Sequence, residues 1–151
     1  MRVTQVAHLY HPSFGGIENY VHRLNTSLRA DGHDARTVTT DESLSPDSPV
    51  APDPHAVYCR TNCSVVRNPL SVELSRRLRR DRSDVSHLHS PWFLPSLEAV
   101  AALPRDAPVA MTVHGVHTPT TTPLSKGLSV AYRPVAQWIL DRVDRILVLG
   151  R

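Results

Sequence analysis

Short runs of strand-forming residues alternate with helix-forming segments along almost the whole chain. This alternation restricts the fold more than any other feature. Residues 3–9 form a largely apolar run that ends at the loop "YHPSFGG". From 16 to 30, Ile17, Tyr20, Val21, Leu24 and Leu28 recur three or four apart, the apolar stripe of an amphipathic helix, and Gly32 supplies its stop. "DARTVTT" and "HAVYCRT" are the second and third predicted strands, separated by the proline-rich loop "DESLSPDSPVAPDP". "DVSHLH", "APVAMTVHG" and "RILVL" are the fourth, fifth and last strands. Residues 71–82, "FLPSLEAVAAL" and residues 128–142 are helices, with Pro134 a kink or early-turn residue in the last of them. Strands and helices alternating over short connections predict an α/β domain: a doubly wound, mainly parallel Rossmann-like sheet with helices on both faces.

The chain of 151 residues suffices for one domain with one sizeable core. Its 40% hydrophobic and 21% charged content is that of a globular protein and not of a disordered one. The net charge of +3 is carried almost entirely by arginine, Lys126 being the sole lysine, and is too small to argue for a nucleic-acid partner. No apolar window is long enough to span a membrane, and the N-terminus lacks the features of a signal peptide, so a cytoplasmic location is expected. Cys59 and Cys63 are the only cysteines, and in a reducing compartment they are most simply free thiols.

In a sheet of this kind ligands bind outside the carboxyl ends of the strands. The first strand ends at His8 and the glycine pair Gly15-Gly16, the fourth at His87-Leu88-His89, and the fifth at Thr112-Val113-His114-Gly115. Glycines before a helix let the backbone turn tightly and bring unpaired amide N–H groups up to a ligand. The helix dipole favours a phosphate there. The same pair equally serves as a plain helix-entry turn, and it matches neither a dinucleotide fingerprint nor a P-loop. Three histidine pairs, His8/His11, His87/His89 and His114/His117, suggest metal ligands and a hydrolase. However, no Asp or Glu lies within two residues of them and no H-E-x-x-H occurs, so no metal site is expected. Arg76, Arg77, Arg79, Arg80 and Arg82 make the helix over 71–82 strongly basic. It is either a solvated face or a contact for anionic lipid head groups or a charged partner.

"FGGIENYVHRLNTSLRADGHDARTVTT" resembles the N-terminal segment of family 4 glycosyltransferases, retaining enzymes of the GT-B fold. "DVSHLHSP" is similar to that family's D-x-x-H-x-H strand, "APVAMTVHG" to its strand ending T-x-H-G, and "RVDRILVLG" to its last strand, all in family order. The resemblance implies that residues 1–151 are a single acceptor-side domain, incomplete at its C-terminus and without the donor-binding domain. It implies transfer of a sugar from a nucleotide-sugar donor to a sugar or lipid-linked acceptor, with little activity from this chain alone. Gly15 and Gly16 would lie against the donor diphosphate. His114 would be the catalytic residue near the transferred sugar, positioning it and stabilising charge, while His89 would line the acceptor side. Glu18, placed on that same side, would orient the glycine loop. No cofactor or metal is implied. The basic residues Arg76, Arg77, Arg79 and Arg80 would offer a peripheral contact at the inner membrane face.

The chain departs from the family pattern in two places. Leu149-Gly150 replaces the usual serine of the last strand, and the glutamates Glu18, Glu42, Glu73 and Glu98 form no E-x7-E motif. The donor half is therefore expected on another chain or on a longer product. A split two-chain enzyme and a non-catalytic α/β binding module stand as alternatives, with a metal-dependent hydrolase behind them.

Overall fold

A computed structural model describes residues 1–45, 48–65, 68–115 and 123–149. His117 and Gly150, named above, lie outside the described residues. The elements run β1 (Arg2–Val6), α1 (Gly16–Ala30), β2 (Asp34–Thr40), β3 (Ala56–Cys59), β4 (Cys63–Val65) and β5 (Asn68–Leu70). They continue with α2 (Val72–Arg79), β6 (Val85–His89), α3 (Leu94–Ala102), β7 (Val109–Val113), α4 (Pro123–Asp141) and β8 (Arg145–Val148).

Six strands form one parallel sheet in the order β3-β2-β1-β6-β7-β8, the doubly wound arrangement expected. From β1 the chain winds to β2 in one direction, and from β6 it winds to β7 and β8 in the other. Right-handed crossovers moving in opposite directions must use opposite faces, so α1 lies on one side and α2 and α3 on the other. The order reverses between β1 and β6, which places a crevice at their carboxyl ends.

The two faces differ in chemistry. Val6 pairs with Val38 and Leu88, and Leu88 with Met111, so these four residues share one face. With Leu74 and Leu78 of α2, Ala99 and Val100 of α3 and Ile139 of α4 they build the main core. Gln5 pairs with Thr37 and His87, and His89 with Thr112, so the opposite face is polar and yet buried. Helix α1 covers part of it, where Asn25 Nδ2 donates to Thr37 Oγ1 at 2.7 Å.

Local rules account for most boundaries. Gly32, at φ +80°, ends α1 where an L side chain is disfavoured, and the His33 amide returns to the Leu28 carbonyl at 2.9 Å. Ser71 caps α2 by accepting from the Leu74 amide at 3.1 Å. That helix stops at Arg79, short of the expected 82, because the Asp81 carboxylate turns back to Arg36 (2.6 Å) and to the Ser83 amide and hydroxyl. Helix α4 begins at Pro123, earlier than expected, and carries Pro134 in its interior. The antiparallel β4–β5 hairpin was not expected. Cys59 and Cys63 are free, and burial pushes the Cys59 thiol up to about 12. Strand β8 closes one edge of the sheet with Ile146, Leu147 and Val148 all exposed. Among the described residues no helix is long and apolar enough to cross a membrane.

Candidate functional site

The crevice between the ends of β1 and β6 receives residues from three strands and one helix. His8 lies two residues beyond β1, where its ring stacks on Phe93 with centroids 3.8 Å apart and planes 2° from parallel. Phe93 is the residue from which α3 starts, so this stack ties the β1 loop to that helix. His87 and His89 occupy alternate positions of β6 and therefore point to the same polar face. His87 Nε2 lies 2.8 Å from Thr112 Oγ1, within hydrogen-bond distance. His89 is 1% exposed and engages both ring nitrogens: Nε2 is 2.9 Å from Gln5 Oε1 and Nδ1 is 3.1 Å from His114 Nε2. His114 is half-buried just past β7, with the edge of Tyr20 at 4.8 Å between centroids.

These imidazoles are uncharged near neutral pH. Burial, together with the nearby His114, lowers His8 and His87 to about 4, and burial in the same cluster takes His89 well below the ordinary histidine value. Burial also lowers His114. The cluster thus offers hydrogen bonds without positive charge. His89, enclosed and fully engaged, holds His114 and has no ring nitrogen left for a ligand.

The turn after β6 carries Ser90, the one non-glycine at positive φ (66°) among the described residues. Such a conformation is strained for an L residue, and the surroundings determine it several times over. The Ser90 amide donates to the Thr112 carbonyl at 2.9 Å, its Oγ accepts from the His114 amide at 3.2 Å, and its carbonyl accepts from Ser96 Oγ at 2.8 Å. Ser90 therefore sets the backbone of His114 relative to β6 and α3. Sequence reasoning missed both Ser90 and Gln5. A glutamine inside a central strand was the available signal for the latter.

The glycine pair separates into two environments. Gly15 is the N-cap of α1, and a Cβ built there would collide with the carboxylate of Glu18 three residues on. Glu18, at 6% exposure, folds back over the cap and places its charge at the positive end of the helix. A Cβ at Gly16 would meet nothing within 4 Å. Gly16 is exposed at the first turn of α1, and its approach is open. The structure thus packs Gly15 beneath the Glu18 carboxylate and leaves the space beside Gly16 open.

Among the described residues no three His, Cys, Asp or Glu side chains are grouped to hold a metal ion. The arginine stripe lies elsewhere. Arg36, Arg76, Arg77 and Arg80 line a cavity of about 470 Å³ floored by Val38, Val57 and Leu78. Val38 belongs to the face opposite His87 and His89, so this basic cavity is not part of the histidine crevice. Arg77 is paired with Glu73 at 2.8 Å and Arg36 with Asp81 at 2.6 Å, while Arg76, Arg79 and Arg80 are exposed.

Comparison with known proteins agrees with this geometry. Residues 14–151 match the family model described as Glycosyltransferase Family 4. The glycogen synthases of Mycobacterium tuberculosis strains CDC 1551/Oshkosh and ATCC 25618/H37Rv are each 27% identical over 173 aligned residues, covering 97% of this chain and 42% of the relative. The chain thus spans about two-fifths of the length of those relatives. A parallel sheet that reverses order at a histidine-lined crevice, and a family match over nearly all of its length, place this chain in glycosyltransferase family 4.

Proposed function

We propose that this chain is the acceptor-side half of a retaining glycosyltransferase, which moves a sugar from a nucleotide-sugar donor to a sugar or lipid-linked acceptor without a metal. The observation that carries the reading is the open approach to Gly16 at the N-terminus of α1, beside a crevice that also holds His114. An anion arriving there meets first-turn amide N–H groups that no capping side chain engages, and it shares the positive end of the helix with the Glu18 carboxylate folded over Gly15. A leaving diphosphate would be stabilised in the same way during transfer. The donor-binding half would come from a further domain or a second chain. The names of the two glycogen synthase relatives support transfer of a sugar to a polysaccharide acceptor.

The two glycines provide the test. In an NMR titration of the chain with UDP-glucose and ADP-glucose, the amides of Gly16 and Ile17 and the ring of His114 should shift. Gly16→Val should weaken binding at least about tenfold while leaving the thermal midpoint in place, because its side chain enters open space and meets only the ligand. Gly15→Ala should instead lower the midpoint, since its methyl group displaces a buried carboxylate. Unchanged binding by Gly16→Val, or shifts confined to other surfaces, would count against the phosphate site and favour a plain helix-entry turn.

The same reading makes the exposed residues Arg76, Arg79 and Arg80 a contact for an anionic membrane or acceptor surface, supported by the basic cavity that Arg76 and Arg80 border. Vesicles of phosphatidylglycerol should sediment the chain at low salt and release it as salt rises, and phosphatidylcholine vesicles should not. Equal sedimentation of the Arg76→Ala/Arg80→Ala variant would remove the contact from the reading.

A further inference from the structure

Gln5–His89–His114 is a polar chain that crosses the buried face from a central strand to the crevice. Its ends lie more than a hundred residues apart in sequence, and it passes through an imidazole that solvent does not reach. The chemistry of each atom dictates what the next can be. With the Gln5 amide turned so that its carbonyl oxygen Oε1, which only accepts, lies 2.9 Å from His89 Nε2, that ring nitrogen carries a proton, and the Gln5 amide nitrogen is buried with no partner among the described residues. A neutral imidazole has one N–H, which leaves His89 Nδ1 as a bare acceptor. His114 Nε2, 3.1 Å from that nitrogen, must then be the donor. One N–H is again all that a neutral ring holds, so His114 Nδ1 is left with its lone pair. Among the described residues no group donates to it.

We infer that Gln5 is a positioning residue that sets the proton order through His89, so that His114 presents a neutral hydrogen-bond acceptor to the crevice. The group it takes is then a donor, a hydroxyl of a sugar or other polyol, and not a phosphate oxygen. Phosphate and hydroxyl recognition are thereby divided between two elements: the open turn at Gly16 takes the anion and His114 takes a hydroxyl. Only this last assignment rests on the proposed function. The proton order is a property of the chain alone. Burial supports it, since the rings of His89 and His114 are both held below the ordinary histidine range. The arrangement follows the general rule that the partner of one ring nitrogen decides the state of the other.

The test reads the protons directly. In two-bond 15N–1H correlation spectra of the uniformly labelled chain at neutral pH, protonated and bare ring nitrogens are well separated. The His89 and His114 signals can be assigned by their loss in His89→Asn and His114→Asn. Both rings should show a protonated Nε2 and a bare Nδ1. A protonated Nδ1 on His114 would mean that the Gln5 amide is turned the other way and the order reversed, which overturns the inference. Gln5→Met keeps the volume without an acceptor, and both rings should then lose their single pattern and show mixed tautomers. An unchanged spectrum in Gln5→Met would also overturn the role of Gln5. Should Gln5→Met fail to fold, the wild-type spectrum decides the proton order by itself. A failure of sugar-nucleotide titration with the proton order intact would count only against the proposed function.

Discussion

Acidification from pH 7 toward about 4.5 should unfold this chain, and buried histidines should account for most of the loss. In the unfolded chain a histidine takes up its proton near 6.5, whereas His8 and His87 in the fold do so only near 4. Between these values the unfolded state binds more protons, so stability rises with pH across the window. It is fully present above about 6.5 and is lost progressively as the pH falls toward 4. Each shift of this size corresponds to roughly 3 kcal/mol. His89 works in the same direction from within the same cluster, so the protons enter in coupled steps. A combined loss of several kcal/mol is large against the roughly 5–15 kcal/mol by which domains are stable. Glu98 opposes it weakly: burial raises its carboxyl, which takes up its proton earlier in the fold than in the unfolded chain. Urea midpoints measured from about pH 7.5 to 4.5 should fall continuously, and His87→Asn should flatten part of the slope. A midpoint that stays constant down to about pH 5 would show that the histidines are not buried as described.

A second large effect is expected in catalysis. If the proposed function holds, His114→Ala in the protein that carries this chain should lower kcat/KM about 10- to 100-fold, the worth of one well-placed hydrogen bond in a desolvated site. The loss should fall mainly on kcat if the bond tightens during transfer, and on KM if it serves binding alone. Gln5→Met should show a smaller loss of the same kind. The double variant should be little worse than His114→Ala, because Gln5 acts through His114 and the two are not independent. Additive losses would detach Gln5 from the site. Unchanged turnover by His114→Ala would make the whole histidine chain structural.

Much of the fold could be read directly from residue patterns. The stripe of Ile17, Val21, Leu24 and Leu28 and the glycine stop at Gly32 marked α1 to within a residue, and "DARTVTT" coincided with β2. Local chemistry was sufficient there because period and caps agree. The β4–β5 hairpin was not legible: strands of three residues are too short to show alternation, and one contains Pro69. The end of β1 was expected at residue 9 but comes at Val6, the last residue that pairs with both Val38 and Leu88. Pairing across strands decides such an endpoint, and no local pattern records it. The candidate site divides in the same way. The histidines and glycines stood out by type and position. What separates Gly15 from Gly16 is the fold of the Glu18 side chain, and what connects Gln5 to His89 is a register spanning 84 residues.

The alternation along β6 has a consequence for how this protein can change. Leu88 belongs to the core, while its immediate neighbours His87 and His89 belong to the crevice. Exchange of one side chain for another can therefore adjust the crevice and leave the core in place. An insertion or deletion of one residue within the strand would turn Leu88 toward the polar face and drive two imidazoles into the apolar core. Substitution can alter β6 one side chain at a time, but a change in its length is opposed by both faces at once.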